Sequence, residues 1–543
     1  MIGEKRDHPI AALIAALLLS GCGGASAVTS TSEAPSTGLV VAATTPTPSS
    51  TAVPAATTTL TPAEAADRAK LGINVAGSVY YGTERTFANL AYASGGWRIT
   101  DPSQLNSFGN PIVDARIFLN VPQPVWSGVD TRITCTWKGS GKMFVDGDRI
   151  GETYGDHTFS VTWRGKTGTS LPSLFINLTK TVSSDPLHDL DCREPGLLAN
   201  GAFDQRLIDD LKPYGVLRFL DWGAANSNPP SVTWDKRTTP DRLAQDGVDG
   251  MAIENMVDLA NATDSDAWFN VPWNADADYV RRMGQLVHDR LNPAHKAYFE
   301  LSNEVWNFQF GQTTQALNEG LAEGLSTDHY SNQLLRLAEK TIWMNKTLTP
   351  IFADNSTRLV RVVGAQNDNP WAGQQVMGFK DIANWVDALA TAPYFGHSFF
   401  DGANATVTDL PTLFNSLEAA RVVAISAAVA NKATAKQYGK RYIAYEAGQH
   451  IIATQQANAD TAAQMERSPL MYDIYKRYIS DWKSQLGDTV AFYSATGQIS
   501  KYGSWGIREY AGQPISETPK RRAVLDTMLR KGSLQSLPSP KLR

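Results

Sequence analysis

Cysteine is scarce in this chain, with three among 543 residues. No paired CxxC and no HExxH motif occurs, so we expect no dedicated metal site. GxGxxG and GxxxxGKS/T stretches after a strand are also missing, which leaves nucleotide binding without support. The sequence has no GxSxG elbow, which argues against an esterase of the α/β-hydrolase type. We therefore expect a protein that works without a cofactor.

An excess of charge of either sign is missing as well. The formal net charge is −5 and the basic residues are scattered, so we expect no nucleic acid partner. The 42% hydrophobic and 19% charged content is that of a folded soluble protein. Tryptophan and tyrosine, by contrast, are abundant, at fourteen and eighteen residues. Many will be core residues, but sugar-binding clefts also use such rings, because the apolar face of a pyranose stacks on them.

The N-terminal apolar run is short. Lys5 and Arg6 precede Ile10–Leu19, which cannot span a bilayer as a mature helix. The run ends in LSGC at positions 19–22, which resembles the bacterial lipobox. The resemblance implies that residues 1–22 form a lipoprotein signal peptide and that Cys22 receives lipid. The alternative is an ordinary signal peptide with a chance cysteine.

A lipid on Cys22 would place the protein in the cell envelope, held at a membrane surface. Gly23 stands where an aspartate often retains lipoproteins at an inner membrane, so we expect the outer membrane or cell surface, facing periplasm or exterior. Residues 23–62 are dominated by Ser, Thr, Ala and Pro. Such a tract buries too little to offset its ordering entropy and reads as a flexible tether. The ordered protein begins near Ala63.

Short apolar segments alternate with longer amphipathic ones from Leu71 onward, which is typical of βα units. Helical stretches include 251–260, 277–290 and 334–346. Eight strands in series predict an α/β fold, a (β/α)8 TIM barrel, formed by residues 63–82 and 191–530. The predicted strands are Leu71–Ala76, Val216–Trp222, Trp268–Trp273, Ala297–Glu304, Leu359–Gly364, Val386–Phe395, Tyr442–Glu446 and Val490–Thr496.

The gap between the first two strands is too long for a normal βα connection. Strand-like segments separated by Gly, Asp and Ser turns predict a small all-β module there, inserted at residues 83–190. Its tryptophans are core residues or sugar-binding residues, namely Trp97, Trp126, Trp137 and Trp163. The predicted strands are Asp114–Val121, Thr131–Trp137, Lys142–Asp146, His157–Trp163 and Ser173–Thr179.

Two cysteines remain, Cys135 and Cys192. In an oxidising compartment they could pair in a structural disulfide. Two separate buried thiols are the other possibility, and the sequence leaves both open.

Two glutamates end the predicted fourth and seventh strands. Glu304 lies in FELSNEVWN (299–307) and Glu446 in AYEAGQH (444–450). The carboxyl ends of barrel strands build active sites, and strands four and seven face each other across the mouth. Hydrolysis of a glycoside needs one carboxyl group to protonate the departing oxygen and a second to attack or to activate water. Asn303 is placed to donate to the sugar 2-hydroxyl, a contact that strengthens in the transition state.

Asn303-Glu304 on strand four with Glu446 on strand seven resembles the arrangement of the large clan of retaining (β/α)8-barrel glycoside hydrolases. The longer string SNEVWN, with RFLDW upstream and YEAGQH downstream, is similar to a little-characterised set of bacterial proteins often labelled cellulose-binding. The resemblance extends over most of residues 71 to about 510. It implies that Glu304 is the acid/base and Glu446 the nucleophile.

Further residues fall where the clan keeps helpers. Arg218 could hydrogen-bond the nucleophile and keep it ionised. Tyr394 and His397 could orient Glu446 or steady the acid/base, and Trp505 could form a sugar platform. Each has a structural alternative, such as a buried ion pair or a lid on the core. The remaining candidates for a subsite lining are Trp222, Trp273, Asn274 and Trp306.

The expected function is that of a retaining glycoside hydrolase that cleaves a polysaccharide, a β-linked glucan or an exopolysaccharide, by double displacement. A non-catalytic polysaccharide-binding surface lipoprotein is the first alternative. Transglycosylation is the second, and it uses the same residues with a different acceptor.

Overall fold

The computed structural model describes residues 61–166 and 173–529. The predicted signal peptide, Cys22 and nearly all of the predicted tether lie outside the described residues. Eight parallel strands form a closed barrel in chain order, which confirms the (β/α)8 prediction. The barrel strands, first to eighth, are Leu71–Asn74, Val216–Arg218, Asp266–Val271, Ala297–Leu301, Leu359–Gly364, Ala388–Thr391, Arg441–Ala444 and Val490–Phe492.

Alternate residues of these strands point into the barrel. Val216, Trp268 and Tyr298 belong to a buried apolar cluster inside it. The residues two positions further along, Arg218 and Glu300 among them, therefore point inward at the carboxyl-terminal mouth. The side chains that point outward from the barrel strands pack beneath the helices in a larger core. Burial on both faces explains why the strands read as continuous apolar runs in the sequence.

Helices cover the outside of the barrel. By length and composition the helix Leu410–Gln437 is apolar enough to cross a membrane, but it lies against the sixth and seventh strands. Its Arg421 is buried and pairs with Glu418 and Asp481, which suits a helix of the barrel shell. The α-helices are Pro62–Arg68, Gln123–Trp126, Gln205–Leu211, Ile253–Thr263, Ala277–Arg290, Gly311–Glu323, Asn332–Leu348, Pro370–Met377, Leu410–Gln437, Gln456–Arg467, Pro469–Asp481 and Pro519–Leu529.

Several predicted strands extend too far at their carboxyl ends. The second strand ends at Arg218 and not at Trp222. The sixth ends at Thr391, and Tyr394–Phe395 forms a separate two-residue strand paired with Gly448–Gln449. The apolar character of these segments continues past the strand because the loops at the mouth are themselves buried.

An all-β module follows the first strand, as the sequence predicts. One sheet has three strands, Ala115–Phe118, Leu174–Thr179 and Lys142–Gly147. The other has four strands, Arg149–Gly155, Thr158–Trp163, Thr131–Lys138 and His188–Arg193. Two of these were not predicted. Arg149–Gly155 is exposed along nearly its whole length, so it lacks the alternation that marks a half-buried strand, and His188–Arg193 runs past the predicted module end at 190.

The tryptophans of the module lie in its core. Trp97, Trp126, Trp137 and Trp163 are between 0% and 9% exposed and share one apolar cluster. Rings buried in this way cannot stack on a sugar, so the sugar-binding alternative for them is wrong.

Cys135 and Cys192 form a disulfide between the paired strands Thr131–Lys138 and His188–Arg193. The two residues are register partners, their Cα atoms are 4.0 Å apart, and both are fully buried. The bond closes a loop with a sequence separation of 57 residues. It therefore ties the last strand of the module to its centre.

We expect the Cys135→Ala/Cys192→Ala variant to lower the free energy of unfolding of the module by about 2–4 kcal/mol, because the loop is no longer closed in the unfolded chain. Urea unfolding followed by circular dichroism measures this. Wild type treated with dithiothreitol should match the variant. An unchanged unfolding midpoint in both would show that the bond does not stabilise the module.

Candidate active site

A cleft of about 500 Å³ opens at the carboxyl-terminal mouth of the barrel. Both predicted catalytic glutamates line it, and so do most of the predicted helpers. The sequence-predicted residues that it brings together are Asn303, Glu304, Trp306, Tyr394, His397, Glu446 and Trp505. Residues of the lining that were not predicted include Asn226, Asn307, Asp368, His450, Tyr493 and Tyr502.

Arg218 lies fully buried beneath this cleft. Its Nη1 donates to Glu446 Oε1 at 2.8 Å and to Asn74 Oδ1 at 2.9 Å. Its Nη2 donates to Asn303 Oδ1 at 2.9 Å and to Glu300 Oε2 at 3.0 Å. One guanidinium thus connects the ends of four strands, and its planar fork can meet all these acceptors at once.

Glu446 receives donors on both carboxylate oxygens. Arg218 donates to Oε1, and the Tyr394 hydroxyl donates to Oε2 at 2.9 Å. The carboxylate is 6% exposed, at the floor of the cleft. Fixed donors on both oxygens stabilise a carboxylate and hold it in one orientation. The predicted contacts of Arg218 and Tyr394 with this glutamate are thus present.

Glu304 has surroundings of a different kind. Its carboxyl accepts the Tyr445 hydroxyl at 3.2 Å and the Asn307 amide at 2.8 Å. Neither donor is charged. Burial and the nearby charge of Glu446 raise the pKa of Glu304 to about 8. The group is therefore a carboxylic acid at neutral pH, able to give up a proton.

The backbone that presents Glu304 is unusual. Ser302 and Glu304 have φ of 58° and 43°, in the left-handed region that non-glycine residues seldom adopt. Side chains from neighbouring elements hold this turn. Asn270 donates to the Ser302 carbonyl at 2.8 Å, and Gln312 donates to the Asn303 carbonyl at 2.9 Å. Strained backbone of this kind persists where the surroundings over-determine it, as functional sites do.

Asn303 is oriented by Arg218. Its amide oxygen accepts from the guanidinium, so the NH₂ group faces the other way, where it donates to Asn226 Oδ1 at 3.2 Å. Both asparagines line the cleft, and Asn303 itself is 2% exposed. The predicted role as donor to a substrate hydroxyl is compatible with this orientation.

Glu300 is a buried carboxylate that the sequence interpretation missed. Its Oε2 accepts from Arg218, from Trp268 Nε1 at 3.0 Å and from Asn270 Nδ2 at 3.1 Å. Burial raises its pKa, while Arg218 opposes that change. The side chain lies below the cleft and does not line it, so its role is to position Arg218. A glutamate two residues after the inward-facing Tyr298 is the signal that could have revealed it.

A group of rings forms one wall of the cleft. His450 lies 5.4 Å from Trp505, 5.2 Å from Tyr394 and 5.2 Å from His397, measured between ring centroids. Burial and His397 lower the pKa of His450 to about 4, so this imidazole is neutral at neutral pH. His397 is exposed and rests on His450. Tyr394, and not His397, therefore makes the contact that orients Glu446.

Three predicted lining residues lie elsewhere. Trp222 is buried between Phe87 and Phe203, with its Nε1 donating to the Ala76 carbonyl. Trp273 is fully buried beneath the Lys340 ammonium. The amide of Asn274 is used by Asn228, Gln315 and the Pro229 carbonyl. All three follow barrel strands, but none of them lines the cleft, so their assignment to it is wrong. Trp222 borders a separate recess beside it.

Trp306 does line the cleft, and its Nε1 donates to the Tyr445 hydroxyl at 3.3 Å. Tyr445 in turn donates to Glu304, so Trp306 contacts Glu304 indirectly through this hydroxyl.

Among residues 61–166 and 173–529, no group of three or more His, Cys, Asp or Glu side chains could hold a metal ion.

We expect Glu304 to titrate near pH 8 in the wild type and at a lower pH in Glu446→Gln, because the substitution removes the negative charge that helps to raise the pKa of Glu304. Infrared difference spectra of the carboxyl band during a pH titration measure this without a substrate. Asp473→Asn, on an exposed outer position, is the control and should leave the titration unchanged. A wild-type Glu304 that titrates near 4.5 would contradict the assignment.

No family model matches the chain, and no curated protein matches it. Solved structures do. A GH51 arabinofuranosidase from Xanthomonas axonopodis pv. citri aligns with a TM-score of 0.41 and 10% identity over 61% of this chain and 66% of that one. An endo-β-1,4-mannanase from Thermotoga petrophila aligns with a TM-score of 0.32 and 11% identity, over 60% of this chain and 73% of that one.

A xylanase from Cellvibrio japonicus aligns with a TM-score of 0.32 and 9% identity, over 80% of this chain and 97% of that one. This chain spans just under two thirds of the arabinofuranosidase and 64% of a rhamnosyl-glucuronidase from Fusarium oxysporum. The structural neighbours are thus glycoside hydrolases at low identity, and at these TM-scores the likeness assigns no activity to this chain.

Proposed function

We propose that the protein is a retaining glycoside hydrolase that cleaves a polysaccharide, with Glu304 as acid/base and Glu446 as nucleophile. One observation carries the proposal. Two glutamates share a cleft, and their surroundings differ as the reaction requires, with a neutral acid at Glu304 and charged and phenolic donors on Glu446.

In the first step the bond between the anomeric carbon and the glycosidic oxygen breaks. Glu446 forms an ester bond to that carbon, and the Glu304 proton passes to the departing oxygen. Asn303 donates to the hydroxyl next to the anomeric carbon. The Tyr394 hydroxyl donates to Glu446 Oε2 and so holds this carboxylate in place for the attack.

In the second step Glu304 is ionised, because it has lost its proton. It takes a proton from water, whose oxygen attacks the anomeric carbon, and the ester bond to Glu446 breaks. Each step inverts the anomeric carbon, so the product keeps the starting configuration. The wall formed by Trp505 and His450 offers ring faces for a sugar, which supports a glycan as substrate. A β-linked glucan or an exopolysaccharide is the substrate class we propose.

We expect Glu304→Gln to lower kcat/KM by roughly 10²–10⁴-fold, the usual contribution of general acid catalysis, and Glu446→Gln to remove activity. Release of reducing ends from β-glucans, xylan, mannan and bacterial exopolysaccharides measures this. Asp473→Asn is the exposed-carboxylate control and should match wild type. Proton NMR of the first product should show a retained anomeric configuration.

Two results would overturn the proposal. An inverted first product would rule out double displacement. The release of no reducing ends from any glycan, with wild type and both glutamine variants binding one of them equally well, would favour the non-catalytic binding lipoprotein.

We also propose that Cys22 carries a lipid that holds the enzyme at the outer membrane or cell surface, on the strength of the LSGC motif at 19–22. Cys22→Ser should then move the protein from the membrane fraction to the soluble fraction, and radiolabelled palmitate should mark only the wild type. A wild-type protein that is cleaved, soluble and unlabelled would indicate an ordinary signal peptide.

A further inference from the structure

A chain of hydrogen-bonded side chains leads from Arg218 to the wall of the cleft. Arg218 Nη2 donates to Asn303 Oδ1 at 2.9 Å, and Asn303 Nδ2 donates to Asn226 Oδ1 at 3.2 Å. Gln312 Nε2 donates to the same Asn226 oxygen at 3.0 Å. Asn226 lies in the loop after the second strand and lines the cleft. The chain therefore starts at a buried cation and ends at the cleft.

The guanidinium fixes the direction of every hydrogen bond in this chain. It can only donate, so the atom of Asn303 that faces it must be the amide oxygen. The NH₂ group of Asn303 then faces Asn226, which must present its own oxygen. Gln312 agrees with this direction, because the same Nε2 also donates to the Asn303 carbonyl at 2.9 Å. The amide oxygen of Asn226 is thus occupied by two donors, and its NH₂ group lies on the other branch of the amide.

The NH₂ group of Asn226 has no acceptor within the described part of the chain, since both hydrogen bonds of this side chain use its oxygen. Asn226 is half-buried and lines the cleft, and its amide nitrogen keeps accessible surface. The two N–H bonds of this group can therefore be satisfied by a molecule in the cleft. Hydroxyl oxygens, which accept such bonds, are what a sugar offers.

The loop that presents Asn226 is held in a costly conformation. Ala224 and Asn228, on either side of it, have φ of 46° and 43°, in the left-handed region. Ser227 Oγ donates to the Ala224 carbonyl at 2.7 Å, and Asn228 Nδ2 donates to Gln315 Oε1 at 3.0 Å. Backbone strain of this kind persists where the surroundings over-determine it. The position of Asn226 is therefore set before a substrate binds.

We propose that Asn226 Nδ2 donates to the C3 hydroxyl of the sugar that is cleaved, beside the C2 hydroxyl that Asn303 contacts. The amide nitrogens of the two asparagines are separated by no more than one hydrogen bond and the width of one amide group. Donors this close can serve neighbouring hydroxyls of one sugar ring. C2 has two ring neighbours, and C1 is the reacting carbon that carries the leaving group. The neighbouring hydroxyl is therefore the one on C3.

This contact narrows the substrate class and rests on the proposed glycosidase function. In a 1,3-linked glucan the C3 oxygen belongs to the next glycosidic bond, so the position carries a bulky sugar and no hydroxyl. A 1,4-linked chain leaves the hydroxyls on C2 and C3 free. The inference therefore favours 1,4-linked β-glucans over 1,3-linked ones as the polysaccharide.

The test uses 2,4-dinitrophenyl β-cellobioside and its 2-deoxy and 3-deoxy analogues, altered in the ring that carries the aryl group. This aryl group departs without protonation, so a changed pKa of Glu304 does not affect the first step. We expect the full-length wild type to show about tenfold lower kcat/KM for the 3-deoxy analogue than for the parent, the order of one neutral hydrogen bond. Asn226→Ala should remove this difference by lowering kcat/KM for the parent alone.

Asn226→Asp separates substrate recognition from a structural role. It keeps an acceptor oxygen for Asn303 and Gln312 but replaces the NH₂ donor with a second oxygen, so it should also remove the difference between parent and 3-deoxy analogue. Ser227→Ala, on the same loop but outside the lining of the cleft, should keep that difference.

Three results would overturn the inference. The first is equal kcat/KM of the wild type for the parent and the 3-deoxy analogue. The second is a difference that persists in Asn226→Asp, since Asn226 would then only hold Asn303. The third is a loss of discrimination at C2 and not at C3 in Asn226→Ala.

The inference and the proposed function fail separately. Cleavage of the parent without discrimination at C3 would refute the inference alone. If the wild type releases no dinitrophenolate, the hydrolase fails, and calorimetric titration of cellotetraose into the Glu446→Gln chain decides the inference. Adding Asn226→Ala should then weaken binding about tenfold. Cellotetraose that binds equally well with and without this substitution, or that does not bind, would overturn the inference as well.

Discussion

The hydrogen bonds of the Arg218 guanidinium are the interaction on which the site depends. They hold Glu446, the proposed nucleophile, orient the Asn303 amide, and satisfy the buried Glu300. A buried cation with one carboxylate removed would be costly, because an uncompensated buried charge destabilises a protein by several kcal/mol. The barrel is therefore closed around an ion network whose members come from its first, second, fourth and seventh strands. Catalytic geometry and the stability of the barrel mouth depend on the same contacts.

The end of strand seven links the two proposed catalytic glutamates. The two residues that directly follow this strand, Tyr445 and Glu446, serve opposite sides of the cleft, since the tyrosine hydroxyl reaches Glu304 while the glutamate faces Arg218. A shift of this strand would move the Tyr445 hydroxyl and the Glu446 carboxyl group together. The two carboxyl groups therefore keep their relative position through the backbone of one strand as well as through side-chain contacts.

The barrel strands and the two glutamates were predictable because their signals are local. Each strand is an apolar run flanked by helical periodicity, and Glu304 and Glu446 stand at strand ends. The loops were not predictable in this way. Trp222, Trp273 and Asn274 also follow strands, but the direction of each side chain depends on packing against the module or the outer helices. Glu300 was missed because its role depends on its contact with Arg218, which lies 82 positions away in the sequence. A single charged residue inside an apolar strand does not reveal such a contact.

The buried Glu300 has a consequence for the field inside the barrel. The carboxyl groups of Glu300 and Glu446 both contact one guanidinium, that of Arg218. In the proposed reaction, an oxocarbenium-like sugar ring develops its positive charge above these three groups, which are already fixed before substrate arrives. Dipoles and charges fixed in advance need no reorganisation during the reaction. Under the same proposal, an anionic sugar at this position would lie close to the acidic groups that flank Arg218, so the floor of the barrel would select against acidic sugars at the proposed point of cleavage.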